Sequence, residues 1–299
     1  MTVCIAGICM DRKRPRFVLC SDGRIQTDEA GGDVCLKWDH AGGGWWALLA
    51  GDTAKARDLA AVCRRSIASR TEEITDSADF VKQITECAQA QKRTLVENFV
   101  QSQLAVNYDY LLKHGASQLP ERQFDDLVSG VRSIDLGCQL ILVGFLSGNP
   151  FMFTIDRNAT VYREESFAVI GAGGPVAQSS LFRRAYRGYM PINEAAYYIY
   201  EAKRLSEVAP GVGSRTDMAV IGDVDRPGFS KWMTVDPFYM ARLDSEYKRF
   251  GPQEYKSEPW QWPTVGLWFK EDQPSPELTT DDQSPPPPSL ELPERSGES

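Results

Sequence analysis

Residues 2–9, TVCIAGIC, and residues 18–27, VLCSDGRIQT, decide how the rest of the chain is read. Residues 2–9 and 16–21 (RFVLCS) are short, largely apolar runs, and the charged, Pro-containing segment Asp11–Pro15 separates the two strands they predict. That pattern predicts a hairpin with two buried strands, the first beginning at the second residue. Chain termini fray unless something ties them down, so a strand starting at Thr2 is a feature to explain.

The same two runs carry the first candidate chemistry. In a hairpin, the end of the second strand lies beside the start of the first, so Asp22 and Arg24 can approach Thr2. A threonine hydroxyl is a weak nucleophile until a base takes its proton. The α-amine on the same residue, with an ordinary pKa of about 7.7–8.0, is a suitable base once Met1 has been removed. A carboxylate at Asp22 would orient that pair, and Arg24 would position the carboxylate. A third feature lies at VIGAGGPVAQ (169–178), where a strand runs through Gly171, Gly173 and Gly174 into a helix. Backbone N–H groups at such a junction can receive developing negative charge.

Working outward, DVCLKWD (33–39), the turn HAGGG and WWALLAG (45–51) predict a second hairpin. Asp52 stands where a helix N-cap belongs, ahead of an apolar 3.6-residue rhythm. Residues 74–113 read as one long helix or two abutting ones, and residues 114–135, broken by Pro120, as a connection with a short helix. Strands resume at CQLILVGF (138–145), FMFTIDR, TVYREE and SFAVIG; two helices follow at 175–188 and 192–208, then a last core strand at TDMAVIGD (216–223). Runs of strands alternating with runs of helices give an α+β class with antiparallel sheets and helices packed outside them. SKWMTVD adds an edge strand. The aromatic stretch EPWQWPTVGLWF (258–269) needs covering, and the Pro- and acid-rich tail from Glu271 reads as disordered.

Composition narrows the function classes. The 299 residues carry a formal net charge of -8, which argues against a nucleic-acid surface. No window reaches the roughly 18 apolar residues of a membrane span and no secretory leader is evident, so a cytoplasmic protein is expected. Seven cysteines without CxxC spacing read as buried free thiols, and with only His40 and His114 present, no metal or nucleotide cofactor is expected. His40, before the glycine turn, reads as exposed.

Taken together, TVCIAGIC, VLCSDGRIQT, WWALLAGDTAKARDL (45–59), LILVGF (140–145), FAVIGAGGPVAQ (167–178) and TDMAVIGD resemble, in this order, the proteasome β-subunit and its bacterial HslV relative among the N-terminal nucleophile hydrolases. The resemblance spans 2–223, with a helical insertion at about 90–135, an aromatic-rich extension at 224–270 and the tail at 271–299. It implies a four-layer αββα sandwich of two antiparallel sheets and an N-terminal threonine amide-bond hydrolase, a peptidase in a homo-oligomeric ring or dimer. The implied site is Thr2 as nucleophile, Asp22 and Arg24 as its acid and arginine, the N–H of Gly173 or Ala172 as oxyanion donor, and Ser214 matching the family's later serine. The family lysine is expected at the start of the third strand, where EAGGDVCLKW offers only Lys37, several residues late. Ala172 replaces the family serine, and the later aspartate falls near Gly211, with Asp217 close by. The departures keep a second reading open, a scaffold weak or inactive in catalysis that binds an ATPase or another protein through its C-terminal extension.

Overall fold

The computed structural model describes residues 2–26, 31–33, 36–69, 76–223 and 230–252. The chain divides into two units, 1–259 and 260–299, and all described residues belong to the first. The aromatic stretch at 258–269 and the tail therefore lie outside the described residues.

The first hairpin forms, but its first strand begins at Cys4 rather than at Thr2 and runs on to Asp11. β1 (Cys4–Asp11) and β2 (Arg14–Asp22) pair antiparallel from Cys4↔Ser21 to Asp11↔Arg14. The turn is tighter than expected: only Arg12 and Lys13 bridge the strands, at φ 46° and 71°, and Pro15 already sits inside β2 opposite Met10. Two positive φ angles in a two-residue loop match the right-handed twist of the flanking strands. β2 becomes the middle of a five-stranded sheet, with β1 on one side and β11 (Thr216–Asp223) on the other. β10 (Phe167–Ile170) borders β1, and β12 (Ser230–Thr234) is the edge beyond β11. Buried on both faces, β2 needs the unbroken apolar run Phe17–Cys20.

The second sheet runs β5 (Trp38–Gly42), β6 (Trp45–Gly51), β7 (Cys138–Leu146), β8 (Asn149–Ile155) and β9 (Val161–Glu164), all neighbours antiparallel. The stretch DVCLKWD is divided here. Gly31–Asp33 (β4) pairs with Arg24–Gln26 (β3) in a separate two-stranded ribbon, and β5 begins only at Trp38.

Two facing sheets share an apolar layer built from Cys4, Ala6, Phe17, Leu19, Leu48, Ile141, Val143 and Met152. The outer face of the second sheet packs Leu49, Leu140, Leu142 and Phe153 against Leu59 and Cys63 of α1 (Thr53–Ser69) and Phe80 and Ile84 of α2 (Ser77–Leu104). Asp52 does cap α1, accepting from Ala54 N–H at 2.9 Å and Lys55 N–H at 3.2 Å. The outer face of the first sheet is covered by α5 (Gly174–Arg183) and α6 (Ile192–Ser206), where Gly7 leaves room for Tyr186 to donate its hydroxyl to Ile8 C=O at 3.0 Å. The result is the four-layer αββα sandwich, an α+β fold with two five-stranded antiparallel sheets and seven helices among the described residues.

Two helical differences stand out. The helical region breaks at Ala105, which is left-handed at φ 56°, giving α2, then α3 (Tyr108–Gln118) capped by Asn107, then α4 (Glu121–Ser133) following Pro120. Beyond 223, the sequence predicts only an edge strand, yet α7 (Pro237–Phe250) also forms. Asp236 caps it and Pro237 opens it, and Asp244 joins it to α6 by accepting from Tyr200 Oη at 3.1 Å. Among the described residues no helix is long and apolar enough to cross a membrane.

Candidate active site

At one end of the sandwich, the start of β1 meets the ends of β2 and β10. The antiparallel register continues one step past Cys4↔Ser21, because Asp22 N–H donates to Val3 C=O at 3.2 Å. Thr2 is thereby set against the Asp22–Gly23 end of β2. Thr2 is 1% exposed and Asp22 is fully buried, and Thr2 Oγ1 donates a hydrogen bond to Asp22 Oδ1.

Asp22 takes three further donors. Val3 N–H reaches Oδ1 at 3.0 Å, Gly213 N–H reaches Oδ2 at 3.0 Å, and Arg24 N–H reaches Oδ2 at 3.3 Å. Two donors per oxygen fill the lone-pair sites of a carboxylate. A buried carboxylate needs such compensation, and here it also fixes the side chain in one orientation. The Arg24 guanidinium is not part of this set: its backbone N–H holds the carboxylate, while its Nε is buried with no hydrogen-bond partner.

The β10–α5 turn closes the other side of Thr2. Gly173 N–H donates to Thr2 C=O at 3.2 Å, and Gly171 N–H donates to Gln139 Oε1 at 3.3 Å. Gly171 adopts φ 92°, and a Cβ there would be driven into the carbonyl of Thr2. So Gly173 is brought to Thr2, but its N–H is spent on the threonine's own carbonyl. Ala172, exposed in the same turn, offers no hydroxyl in place of the family serine.

Lys37 is buried at the entrance to β5. The β3–β4 ribbon intervenes before β5, so the strand that borders β6 starts immediately after Lys37. Lys37 C=O accepts from Leu49 N–H at 2.7 Å, and Cys4 Sγ donates to Leu49 C=O at 3.3 Å, which seats both residues on the same point of β6. Lys37 is 4% exposed. Its charge is felt at the site: burial pushes the Cys4 thiol far up, Asp22 pushes it further, and Lys37 pulls it back.

Ser214 is exposed and its carbonyl, not its hydroxyl, is engaged, accepting from Lys203 Nζ at 2.9 Å. Its neighbour Gly213 is the residue that reaches Asp22. Asp217 is turned away to Arg215, with Oδ1 3.1 Å from Nε and 3.0 Å from Nη2. Gly213 and Lys203 were not legible as site residues. The Gly-rich run VAPGVGSR marked a loop without saying which amide points where, and Lys203–Glu207 reads as an ordinary surface i,i+4 pair.

A scan against protein-family models finds no match, and a search of curated proteins finds none either. The remaining features are secondary. Cys4, Cys9, Cys20, Cys63, Cys87 and Cys138 are buried and in no disulfide, while Cys35 lies outside the described residues. His40 is exposed on β5, where partial burial and Arg64 lower its proton affinity. Among the described residues no group of three or more His, Cys, Asp or Glu side chains converges as a metal-binding set.

Proposed function

We propose that the chain is an N-terminal threonine hydrolase of amide bonds, acting on peptide or protein substrates. The observation that carries this reading is the hydrogen bond from Thr2 Oγ1 to an Asp22 carboxylate whose other donors lock it in place. Removal of Met1 turns the backbone nitrogen of Thr2 into a free amine. That amine takes the hydroxyl proton as Oγ1 attacks the substrate carbonyl, and the resulting amine product departs with the proton. The ester left on Thr2 is then hydrolysed by water, with the same amine as base. Asp22 orients Oγ1, and the Lys37 ammonium supplies positive charge that favours the developing alkoxide. With Gly173 N–H occupied by Thr2 C=O, the neighbouring Ala172 N–H is the donor assigned to the tetrahedral oxyanion. A site confined to the mouth of a homo-oligomer would restrict such an enzyme to unfolded chains.

The scaffold reading draws on two specific observations: the committed Gly173 N–H and the alanine at 172. Under it, Thr2 is a buried structural residue and the region beyond β11 recruits a protein partner.

Intact-mass measurement before and after incubation with a β-lactone separates the two. Loss of Met1 and a single adduct on Thr2 support the hydrolase. Retained Met1, or a free Thr2 that stays unlabelled, leaves the scaffold.

A further inference from the structure

Lys203 is fully buried, an uncommon place for an ammonium. It lies in the last turn of α6, and Nζ spans from Glu207 Oε1 at 2.7 Å to Ser214 C=O at 2.9 Å. Glu207 is a helical neighbour and adds nothing across elements. Ser214 belongs to the loop between α6 and β11, and the residue before it, Gly213, donates its N–H to Asp22 Oδ2 at 3.0 Å. The bonds run in series: Lys203 donates to Ser214 C=O, the adjacent residue Gly213 donates to Asp22, and Asp22 accepts from Thr2.

We propose that the Lys203 ammonium is a positioning group for the nucleophile: it fixes the 211–215 loop so that Gly213 N–H clamps Asp22 in the orientation that receives Thr2 Oγ1. The catalytic part of this proposal rests on the hydrolase reading; the clamp itself does not. Three points support it. Ser214 C=O and Gly213 N–H lie in different peptide planes but only two Cα atoms apart, and with two soft dihedrals per residue, anchoring that oxygen narrows the arc through which the amide can swing. Ser214 and Arg215 are exposed and the Arg215 guanidinium pairs with Asp217 of β11, so the bond from Lys203 is one that reaches this loop from a fully buried side chain. Gly173 packs into the same corner, where a Cβ would sit 2.9 Å from Val3, 3.0 Å from Ser206 and 3.0 Å from Val212, so movement of the loop is transmitted to the β10–α5 turn as well.

Stability alone does not account for a buried ammonium here. In Lys203→Met, Glu207 keeps Arg204, whose Nε lies 3.4 Å from Oε1, and the Ser214 carbonyl can turn to water. The variant is therefore expected to fold, because the charge left behind is neither buried nor alone.

The test uses the full chain with Met1 removed, comparing wild type, Lys203→Met and Lys203→Arg by amide hydrogen exchange and by β-lactone labelling of Thr2. In Lys203→Met, exchange at the Gly213 amide is expected to rise about ten-fold or more, while interior β2 and α6 amides stay unchanged. The labelling kinact is expected to fall about ten-fold with KI unchanged, and Lys203→Arg to recover most of both losses. Unchanged Gly213 exchange overturns the proposal, as does raised exchange with unchanged kinact. If wild type takes no β-lactone at Thr2, the hydrolase reading fails by itself, and the exchange result alone decides whether Lys203 holds Gly213 against Asp22. Should Lys203→Met not fold, nitrogen-15 lysine spectra of wild type decide instead. One slowly exchanging ammonium coupled to the Ser214 carbonyl supports the clamp, and its absence overturns it.

Discussion

Asp22 Oδ1 accepts from both the side chain of Thr2 and the backbone N–H of Val3, the latter at 3.0 Å, so one oxygen holds two consecutive residues at the start of β1. A carboxylate bound this way cannot follow the hydroxyl if the strand end moves. The strand end must instead be rigid, and the register of β1 against β2 and β10 makes it so.

Replacing Asp22 by asparagine tests this arrangement directly. An amide can present its oxygen to Thr2 and Val3 only by aiming its NH₂ at the Gly213 and Arg24 N–H groups, which then lose their acceptor. Each orphaned donor costs about 1–3 kcal/mol, so Asp22→Asn should lower the urea midpoint clearly. It should also cut β-lactone labelling of Thr2 by about 10²-fold or more. A variant with wild-type stability would mean that the two N–H bonds to Oδ2 carry no weight.

Lys37→Met should behave differently. The methionine fills similar volume and the four donors to Asp22 are untouched, so the fold should hold. Thr2 reactivity should nonetheless fall about 10²-fold, because the positive charge facing the alkoxide is gone. Thermal melting and labelling rates on the same preparation check both halves. Equal labelling with unchanged melting would make Lys37 a bystander.

How much of this was legible beforehand depends on how each residue is brought in. Thr2 and Asp22 come together through a local hairpin, which the apolar runs and their turn are enough to predict, whereas the β10–α5 glycines arrive through the long-range β1–β10 pairing, which only the family resemblance implied. The setting of Lys37 was not legible because DVCLKWD reads as one strand. The chain instead makes a β3–β4 ribbon first, and Lys37 lies directly before β5 with its carbonyl bonded to Leu49 N–H. Gly213 and Lys203 depend on the path of an irregular loop, which no periodicity encodes. The helix α7 escaped because its apolar residues face α6 only partly, and only Leu243 is buried. Its clearest signal, Asp236 followed by Pro237, was present but short.

Gly171→Ala probes the turn beside Thr2. The native φ of 92° disfavours any side chain, and the added methyl would collide with the Thr2 carbonyl. Backbone strain of this kind costs about 1–3 kcal/mol, and the clash adds to it. The expected result is a lower melting temperature together with loss of Thr2 labelling, since relief of the clash displaces Thr2 from Asp22. If the variant melts lower but labels normally, the turn supports the fold without setting the nucleophile.

Alkaline pH provides a separate check on the core. Burial, then the charge of Asp52, pushes the Cys138 thiol up to about 11, and burial raises Cys4, Cys9 and Cys20 as well. An unfolded thiol ionises near about 8.5, so above that pH the unfolded state releases protons that the native state retains. Stability from these groups is complete below the unfolded value and is lost as pH rises toward the native one. The urea midpoint should therefore fall between pH 9 and pH 11, and Cys138→Ala should lessen the fall. At neutral pH the six described cysteines should resist iodoacetamide until denaturant is added, since none is both exposed and ionised. Rapid native labelling at Cys138 would show that the β6–β7 end opens more readily than its packing against Gly51 implies.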